Sequence, residues 1–515
     1  MTHMTGRLSM RGTPVGDLLE RSRQFFAARG LPAWVIGGYV RDLLLNVATH
    51  DGDLGVGSRD VEMVGRELAD EIGGSFYVLD QARRYVRVLA PHNAEGARIQ
   101  LDLTPIDDDI VSDLSRRDFT IDAMALPIDS WDSPAAVIDP FDGRGDLRRS
   151  VIRIVRDDVF LADGVRLLRA VRLARQLDFL LADETAAAMR RDVAHIADVS
   201  AERLKDELCK LLALPDARGA LRTLENLGIR RHILPELDRT QGVEQPSEHY
   251  WDVFNHLIET VGYMDRILDP AGRLSDPIVS ALPWSDDVTS YFNAEVAGGL
   301  HRATLTRLAC LLHDIAKPET KTVDEEGRTR FLGHPEQGAD SARALMERLH
   351  FGRRATDYVT LAVRQHLRPM QLSHDMEPPT RRSLYRYKRD LGDAAIGTLY
   401  LSMADYLAAR GARLDADEWR RRVSHCSLVL ESILQEPEDS VSAPLPANGR
   451  MLMEALGMQP GPELGRIIEA VREAFATGLV STPDEAIAFA RREREGRNAP
   501  LRRGERGHSP VGRGN

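Results

Sequence analysis

Asp51-Gly52-Asp53 follows an apolar run, Ala33–Ile36, that ends in the adjacent glycines Gly37 and Gly38. In a strand, two carboxylates one residue apart project from the same face, because side-chain direction repeats every two residues. Side by side they offer hard oxygen ligands, which magnesium takes together with substrate phosphates. Adjacent glycines let a backbone approach a phosphate, and the following "VRDLLLN" reads as a helix whose N-terminus favours that anion. Asp102, in the alternating run "IQLDL", is a candidate third carboxylate placed to act on an attacking hydroxyl. Together these residues describe metal-assisted, in-line phosphoryl transfer. An Asp-x-Asp pair alone equally describes two solvated loop residues; the glycine pair and the chain that follows favour chemistry.

A second set is rich in imidazole. His313-Asp314 lies in the apolar run "RLACLLHDIAKP", with His256 in "WDVFNHLIET", His334 in "LGHPEQGA", His366 in "VRQHL" and Asp405 in "SMADYLAARG". Mixed imidazole and carboxylate ligands suit transition metals, and also magnesium when carboxylates and waters dominate. One histidine on an apolar helix is ordinarily a core residue, so the ordered set carries the reading.

The elements that must position these groups change along the chain. Up to about Leu147, "AWVIGG", "SFYVLD", "YVRVLA", "IQLDLTPI" and "AAVIDPF" read as strands, and "DVEMVGRELADEIG" as a helix closed by glycine. This is an α+β pattern, with catalytic groups at strand ends. From Val159 onward the periodicity is helical, with almost no strand signal. The stretch Leu268 to Trp284 reads as a linker or long loop, and "EPEDSVSAPLPANG" sets off a last helical unit. Residues Arg491 to Asn515, rich in Arg and Gly, read as a disordered basic tail.

At 515 residues the chain is too long for one core. With 43% hydrophobic and 29% charged residues it has the composition of a globular protein, and no apolar run reaches the length that spans a bilayer. Three scattered cysteines without CxxC spacing predict a reducing, cytoplasmic setting and no thiolate zinc site. The start of the sequence shows no secretory pattern. A net charge of −11 argues against bulk electrostatic binding of nucleic acid, though a local basic groove is compatible with it.

"GGYVRDLLLN…HDGDL" resembles the signature of class II CCA tRNA nucleotidyltransferases and bacterial poly(A) polymerases, in the polymerase-β-like superfamily. "RRDFTIDAMA" (Arg116 to Ala125), "DPFDGRGDL" (Asp139 to Leu147), "ADGVRLLRAVR" and "ERLKDEL" (Glu202 to Leu208) resemble the family's next motifs, in the family's order. The five histidine and aspartate segments resemble the HD phosphohydrolase superfamily, and "ANGRMLMEALGMQPGPELGRIIEAV" is similar to the family's tail. The resemblance covers nearly everything from about Trp34 to Arg491.

It implies a polymerase-β-like head over residues 17–147, a helical neck over 148–240, an HD-type helical domain over 241–435, a helical tail over 436–490 and the disordered tail over 491–515. The implied catalytic carboxylates are Asp51, Asp53 and Asp102, with magnesium on Asp51 and Asp53. Nucleotide contacts are implied for Gly37, Gly38, Arg41, Arg116 (phosphates), Asp118 (ribose), Asp163 and Arg166 (base edge) and Arg169. In the HD-type domain, His256, His313, Asp314 and Asp405 are implied ligands of one divalent metal, with His334 and His366 at a second metal or a substrate phosphate. Some family members use this domain as a phosphatase or phosphodiesterase; others keep it as body structure. The implied activity is template-independent addition of CMP and AMP, from CTP and ATP, to the tRNA 3′ end, with release of pyrophosphate and no membrane partner. CC-only, A-only and poly(A) addition share these motifs, and an HD metal phosphohydrolase with an inactive head is an alternative of another class.

Two positions depart from the pattern. Asp122 stands where the family has Asn, which alters the hydrogen bonding of the ribose-contacting turn. Ala162 stands where it has Glu, which removes a brace for the base-reading arginine. Only "LTPIDDDIVSDLS" joins Asp102 to Arg116, where family members that add the complete CCA carry a mobile loop. A loop that short makes CC-only addition a serious rival, unless a segment such as "APHNAEGA" replaces it.

Overall fold

The structure, a computed structural model, describes residues 10–49, 51–91, 99–372, 378–435 and 445–498, with the side chains of 51 and 496–498 left aside. The chain divides into two compact units, Met1–Arg239 with Leu345–Phe351, and Thr240–Ala344 with Gly352–Asn515.

The first unit is built on a six-stranded mixed sheet. Its strands are β1 (Ala33–Ile36), β2 (Asp51–Val56), β3 (Ser75–Asp80), β4 (Tyr85–Leu89), β5 (Gln100–Pro105) and β6 (Ala125–Pro127), in the order β3-β4-β5-β2-β1-β6. Within this sheet only β2 and β5 pair in parallel. Alternation gives the sheet two unlike faces. Val35, Leu54, Val86, Val88, Leu101 and Leu103 are fully or almost fully buried on one face. Each stabilises the fold by roughly 1.5–3 kcal/mol. Helices α1 (Pro14–Arg29) and α3 (Val61–Ile72) pack on that side. The approach of α3 is close: a Cβ on Gly65 would lie 2.8 Å from Val86 and 3.0 Å from Phe76. The residues between these positions, including Asp53, Arg87 and Asp102, face the other way.

Between β1 and β2 runs α2 (Gly38–Leu45), the helix expected from "VRDLLLN". After the sheet the first unit is helical apart from one short parallel pair, Val151–Ile152 with Leu180–Leu181, and α4 (Arg166–Leu177) and α5 (Ala201–Ala213) pack together.

In the second unit, α6 (Val253–Leu268), α7 (Arg302–Leu312), α8 (His334–Arg348), α9 (Arg353–Gln365) and α10 (Ala395–Arg410) supply the main helices. The segment "AIGTLYLSMADYLAAR" of α10 is apolar on nearly all sides, so it takes the centre, against α6, α7 and α9. The last helices, Gly449–Leu456, Pro462–Ala476 and Pro483–Asn498, close on a small core of their own around Leu452, Ile467, Val471 and Ala486.

The α+β reading and the head-plus-helices order hold. Four local readings do not. "AAVIDPF" forms a 3₁₀ turn, Pro134–Ala136, and one bridge from Ile138 to Ala125, because Pro134 and Pro140 lack ladder donors. Residues Leu268 to Trp284 are no open linker: Asp269 caps a helix, Pro270–Ser275, by accepting from the Ala271 and Gly272 amides, and a 3₁₀ turn follows at Val279–Ala281. Two short hairpins, Glu295–Ala297 with Leu300–His301 and Lys321–Val323 with Thr329–Phe331, interrupt the helical half; strands of two or three residues carry no readable period. The last helix runs past Arg491 to Asn498, seating Ala490 in the small core. Residues 499–515 and 436–444, and most of "APHNAEGA", lie outside the described residues.

Candidate functional site

Strand register brings the carboxylates of the first unit together. Asp53 on β2 is the direct partner of Asp102 on β5, and Asp51 is the partner of Gln100. The Asp51 side chain lies outside the described residues. Burial pushes the Asp53 carboxyl up to about 6; the Arg117 guanidinium opposes this and the Asp102 charge adds to it. A carboxylate that resists ionisation beside a second carboxylate fits a cation site, so the residues present suit a divalent ion.

Gly37, with φ +68, follows β1 and lies against Asp53. A Cβ there would lie 3.0 Å from Arg117 Nη1 and 3.4 Å from Asp53 Oδ2, so any side chain would be strained in backbone and would crowd the site. Gly38 opens α2. Arg41 is buried and engaged internally: its Nη1 donates to Asp122 Oδ1 at 2.8 Å and its Nε to Asp42 Oδ1 at 2.9 Å. The departure at Asp122 therefore has a partner, and an ion pair stands where an amide would accept from the guanidinium without a countercharge.

Of the two arginines opening "RRDFTIDAMA", it is Arg117 that lies at Asp53 and Gly37. The Arg116 side chain is half exposed and pairs with Asp113 at 3.4 Å. Asp118 is buried and pairs with Arg169 Nη1 at 3.2 Å, and the Asp118 charge, with burial opposing it, holds the Arg169 guanidinium above its ordinary range.

The base-edge candidates are fixed in place before any ligand arrives. Arg203, on α5, grips Asp163 with two hydrogen bonds, Nη1 to Oδ1 at 3.1 Å and Nη2 to Oδ2 at 2.6 Å. Burial raises the Asp163 carboxyl, but Arg203 outweighs it and the net shift is downward. Arg166 begins α4 and donates to two carbonyls, Val159 at 3.3 Å and Arg116 at 3.0 Å. Those carbonyls brace Arg166 where Ala162 supplies no carboxylate. Asp139 accepts from the amides of Gly143 and Arg144, the first two residues of the helix Gly143–Arg149, at 2.7 and 2.9 Å.

The second unit gathers all six histidine and aspartate candidates. His256 lies in the first turn of α6, His313 and Asp314 just past α7, His334 at the start of α8, His366 just past α9, and Asp405 on α10. Among the described residues, His256, His313, Asp314 and Asp405 form one group whose ligand atoms lie within 4.8 Å of one another, and Asp314, His334 and His366 form another. Asp314 joins the two. Its Oδ2 lies 3.4 Å from His256 Nε2 and 3.2 Å from His313 Nε2, while its Oδ1 lies 3.2 Å from His334 Nε2.

The outer ring nitrogens decide what faces inward. His334 Nδ1 lies 2.7 Å from the Phe331 carbonyl and His366 Nδ1 2.7 Å from that of Val363, so each proton sits on Nδ1. Asp314 Oδ1 accordingly accepts no hydrogen bond. An anion facing proton-free imidazole nitrogens in a buried pocket fits a divalent cation. Burial works against a charge on His313, but Asp314 and Asp405 outweigh it and push the ring up to about 10; burial and the His313 charge take His366 down to about 4.

Residues 33–153 match the family described as "Poly A polymerase head domain", 178–240 the "Probable RNA and SrmB- binding site of polymerase A", and 253–410 the HD domain. The A-adding tRNA nucleotidyltransferase of Deinococcus radiodurans is 34% identical, over 89% of this chain and 95% of its own. The CC-adding tRNA nucleotidyltransferase of Thermus thermophilus is also 34% identical, over 91% and 95%. The chain belongs to the tRNA nucleotidyltransferase family. In fold it is similar to the CCA-adding enzyme of Thermotoga maritima complexed with tRNA, at a TM-score of 0.53 and 18% identity over 95% of this chain and 96% of that one.

Five residues of this tRNA nucleotidyltransferase family member escaped the sequence reading. Arg87 donates to both oxygens of Asp102, at 2.7 and 2.8 Å. Arg117 lies at Asp53 and Arg203 grips Asp163. Lys317 donates to Asp314 Oδ2 at 2.6 Å. His249 lines, with His366 and Asp405, a cavity of about 290 Å³, and burial takes its ring down to about 4. Lys317 had a signal, three residues after Asp314 on one helical turn; the others are joined to the site only by folding. The three cysteines are free and buried. No helix among the described residues is long and apolar enough to cross a membrane.

Proposed function

We propose that the chain adds CMP and AMP, without a nucleic-acid template, to the 3′ end of tRNA in the cytoplasm, releasing pyrophosphate. The observation that carries this is the row Asp53–Asp102, with Gly37 against Asp53 and with Asp163 and Arg166 held in the same unit. Magnesium bound at Asp51 and Asp53 would supply positive charge to the triphosphate during in-line displacement. Asp102 orients the attacking 3′ hydroxyl. Gly37 and Gly38 leave room for phosphate oxygens, with Arg117 beside them. Asp163 accepts from the amino group that cytosine and adenine share, and Arg166 donates to the acceptor beside it; uracil and guanine present the opposite pattern. Arg116 and Arg41, turned to other partners, contribute by placement. In the second unit the two histidine groups hold divalent metal.

A narrower reading, CC-only addition, has its own support. Strand β5 ends at Pro105 and the next helix begins at Ile110, so residues 106–109 are all that connects them. Two similar relatives carry single-step names, one A-adding and one CC-adding. The test is incorporation of labelled CTP and ATP into tRNA lacking CCA, ending in C, or ending in CC. CTP incorporation should be robust and ATP incorporation the weaker step. AMP addition to tRNA ending in CC, with no CMP added to tRNA lacking CCA, would mark an A-adding enzyme; no incorporation into any substrate would end the proposal.

A further inference from the structure

The sheet of the first unit carries its reacting carboxylates on a face that is only half covered. Asp53 on β2 neighbours Ile36 on β1, and there the face is closed by a core of Ile36, Leu114, Ala123 and Ala125. On the other side of Asp102 the same row continues to Arg87 on β4 and then to Tyr77 on β3. Direct cross-strand partners share a face, so Tyr77, Arg87, Asp102 and Asp53 stand in one line. Tyr85, two residues before Arg87, shares that face as well. Both rings are open: Tyr77 is 49% and Tyr85 39% exposed. The neighbouring Phe76 points the other way, toward α3.

Strands lie about 4.8 Å apart, which puts the Tyr77 backbone roughly 10 Å from that of Asp102 and roughly 15 Å from that of Asp53. An open sheet face with two aromatic rings beside an arginine is a surface on which bases of a single strand stack, in a sequence-tolerant way. The side beyond β1 is filled, and Arg166 reaches the Arg116 carbonyl next to that filled side. A chain bringing its 3′ hydroxyl to Asp102 therefore crosses β4 and β3.

We propose that Tyr77 and Tyr85 form a stacking platform for the last unpaired bases of the RNA 3′ end, next to the carboxylates and distinct from the site for the incoming nucleotide. This rests on the nucleotide-adding reading above. The platform holds the strand behind its reacting end through ring faces, so it keeps working as the terminal base changes. The ring, not the phenol hydroxyl, supplies the contact.

The experiment compares the full-length chain with Tyr77→Ala, Tyr85→Ala and Tyr77→Phe. With tRNA lacking CCA, each Ala variant should raise KM for the RNA at least about fivefold, the lower range for loss of one base stack, with KM for CTP unchanged. Tyr77→Phe should match the wild type. A short single-stranded RNA with 2-aminopurine as its penultimate base should be quenched by the wild type and Tyr77→Phe, and less by Tyr77→Ala. An RNA KM within twofold of wild type in both Ala variants, with circular dichroism unchanged, would overturn the platform. So would an effect confined to self-association, which would make the open edge of β3 a contact between copies of this chain. A wild type that incorporates nothing but still quenches the probe through Tyr77 would count against the activity and not against the platform.

Discussion

Arg87 holds Asp102 by both carboxylate oxygens, across one antiparallel strand pair, while Asp53 flanks Asp102 on the other side. A positive and two negative groups thus stand in one row. The fork fixes the plane of the carboxylate and places a cation on Asp102, as Arg117 does beside Asp53. Arg87→Met should lower turnover by about 10–100-fold, as loss of a charged hydrogen-bond pair would. It should also lower the magnesium concentration needed for half-maximal rate, because no guanidinium competes for Asp102. Titrating magnesium in the incorporation assay checks this; turnover and magnesium dependence both unchanged would reduce Arg87 to a surface ion pair.

Asp53→Ala should reduce incorporation at least about a thousandfold while tRNA still binds, since the carboxylate attracts metal and repels phosphate. The raised carboxyl gives a second readout. An acid whose folded pKa lies above its unfolded one costs the fold stability as pH rises, here between about 4 and about 6, and the cost is complete above that window. Metal-free Asp53→Asn should therefore melt higher than metal-free wild type at pH 7, and the gap should close near pH 4. Equal melting temperatures at pH 7 would show that Asp53 ionises without penalty.

Arg166→Ala should weaken the preference for C and A over U and G by about tenfold or more, because it removes one of the two base-edge contacts. Arg203→Ala should do the same more mildly, by freeing Asp163. Nucleotide competition at fixed tRNA measures both, and unchanged discrimination in Arg166→Ala would remove this residue from base reading.

His313→Ala should lose divalent metal from the second unit, together with any phosphatase or 2′,3′-cyclic phosphodiesterase activity. His313, raised to about 10, is charged at neutral pH and must shed a proton to ligate. Apparent metal affinity should accordingly climb by up to about tenfold per pH unit from pH 7 toward 10, with proton release on binding. Elemental analysis and calorimetry in two buffers would show it. Metal content equal in His313→Ala and wild type would leave these side chains as scaffold.

Patterns confined to a few consecutive residues were readable in the sequence. Alternation in "IQLDL" placed Asp102 in a strand, the glycine pair after Ile36 placed a turn and helix, and the apolar run "RLACLLHDIAKP" put His313 and Asp314 by a helix that ends at proline. These depend on local backbone geometry, whose periods the sequence carries directly. What the tertiary structure alone decided was pairing. The parallel register of β2 with β5 set Asp53 beside Asp102, and the antiparallel register of β4 gave Asp102 to Arg87. The fold also set Arg117 beside Asp53, gave Arg41 to Asp122, and braced Arg166 with carbonyls from Val159 and Arg116. Strand register and helix packing are set by which apolar faces bury each other, a condition on residues far apart in the chain, so the partners of a charged side chain are fixed only when the sheet and the helices close.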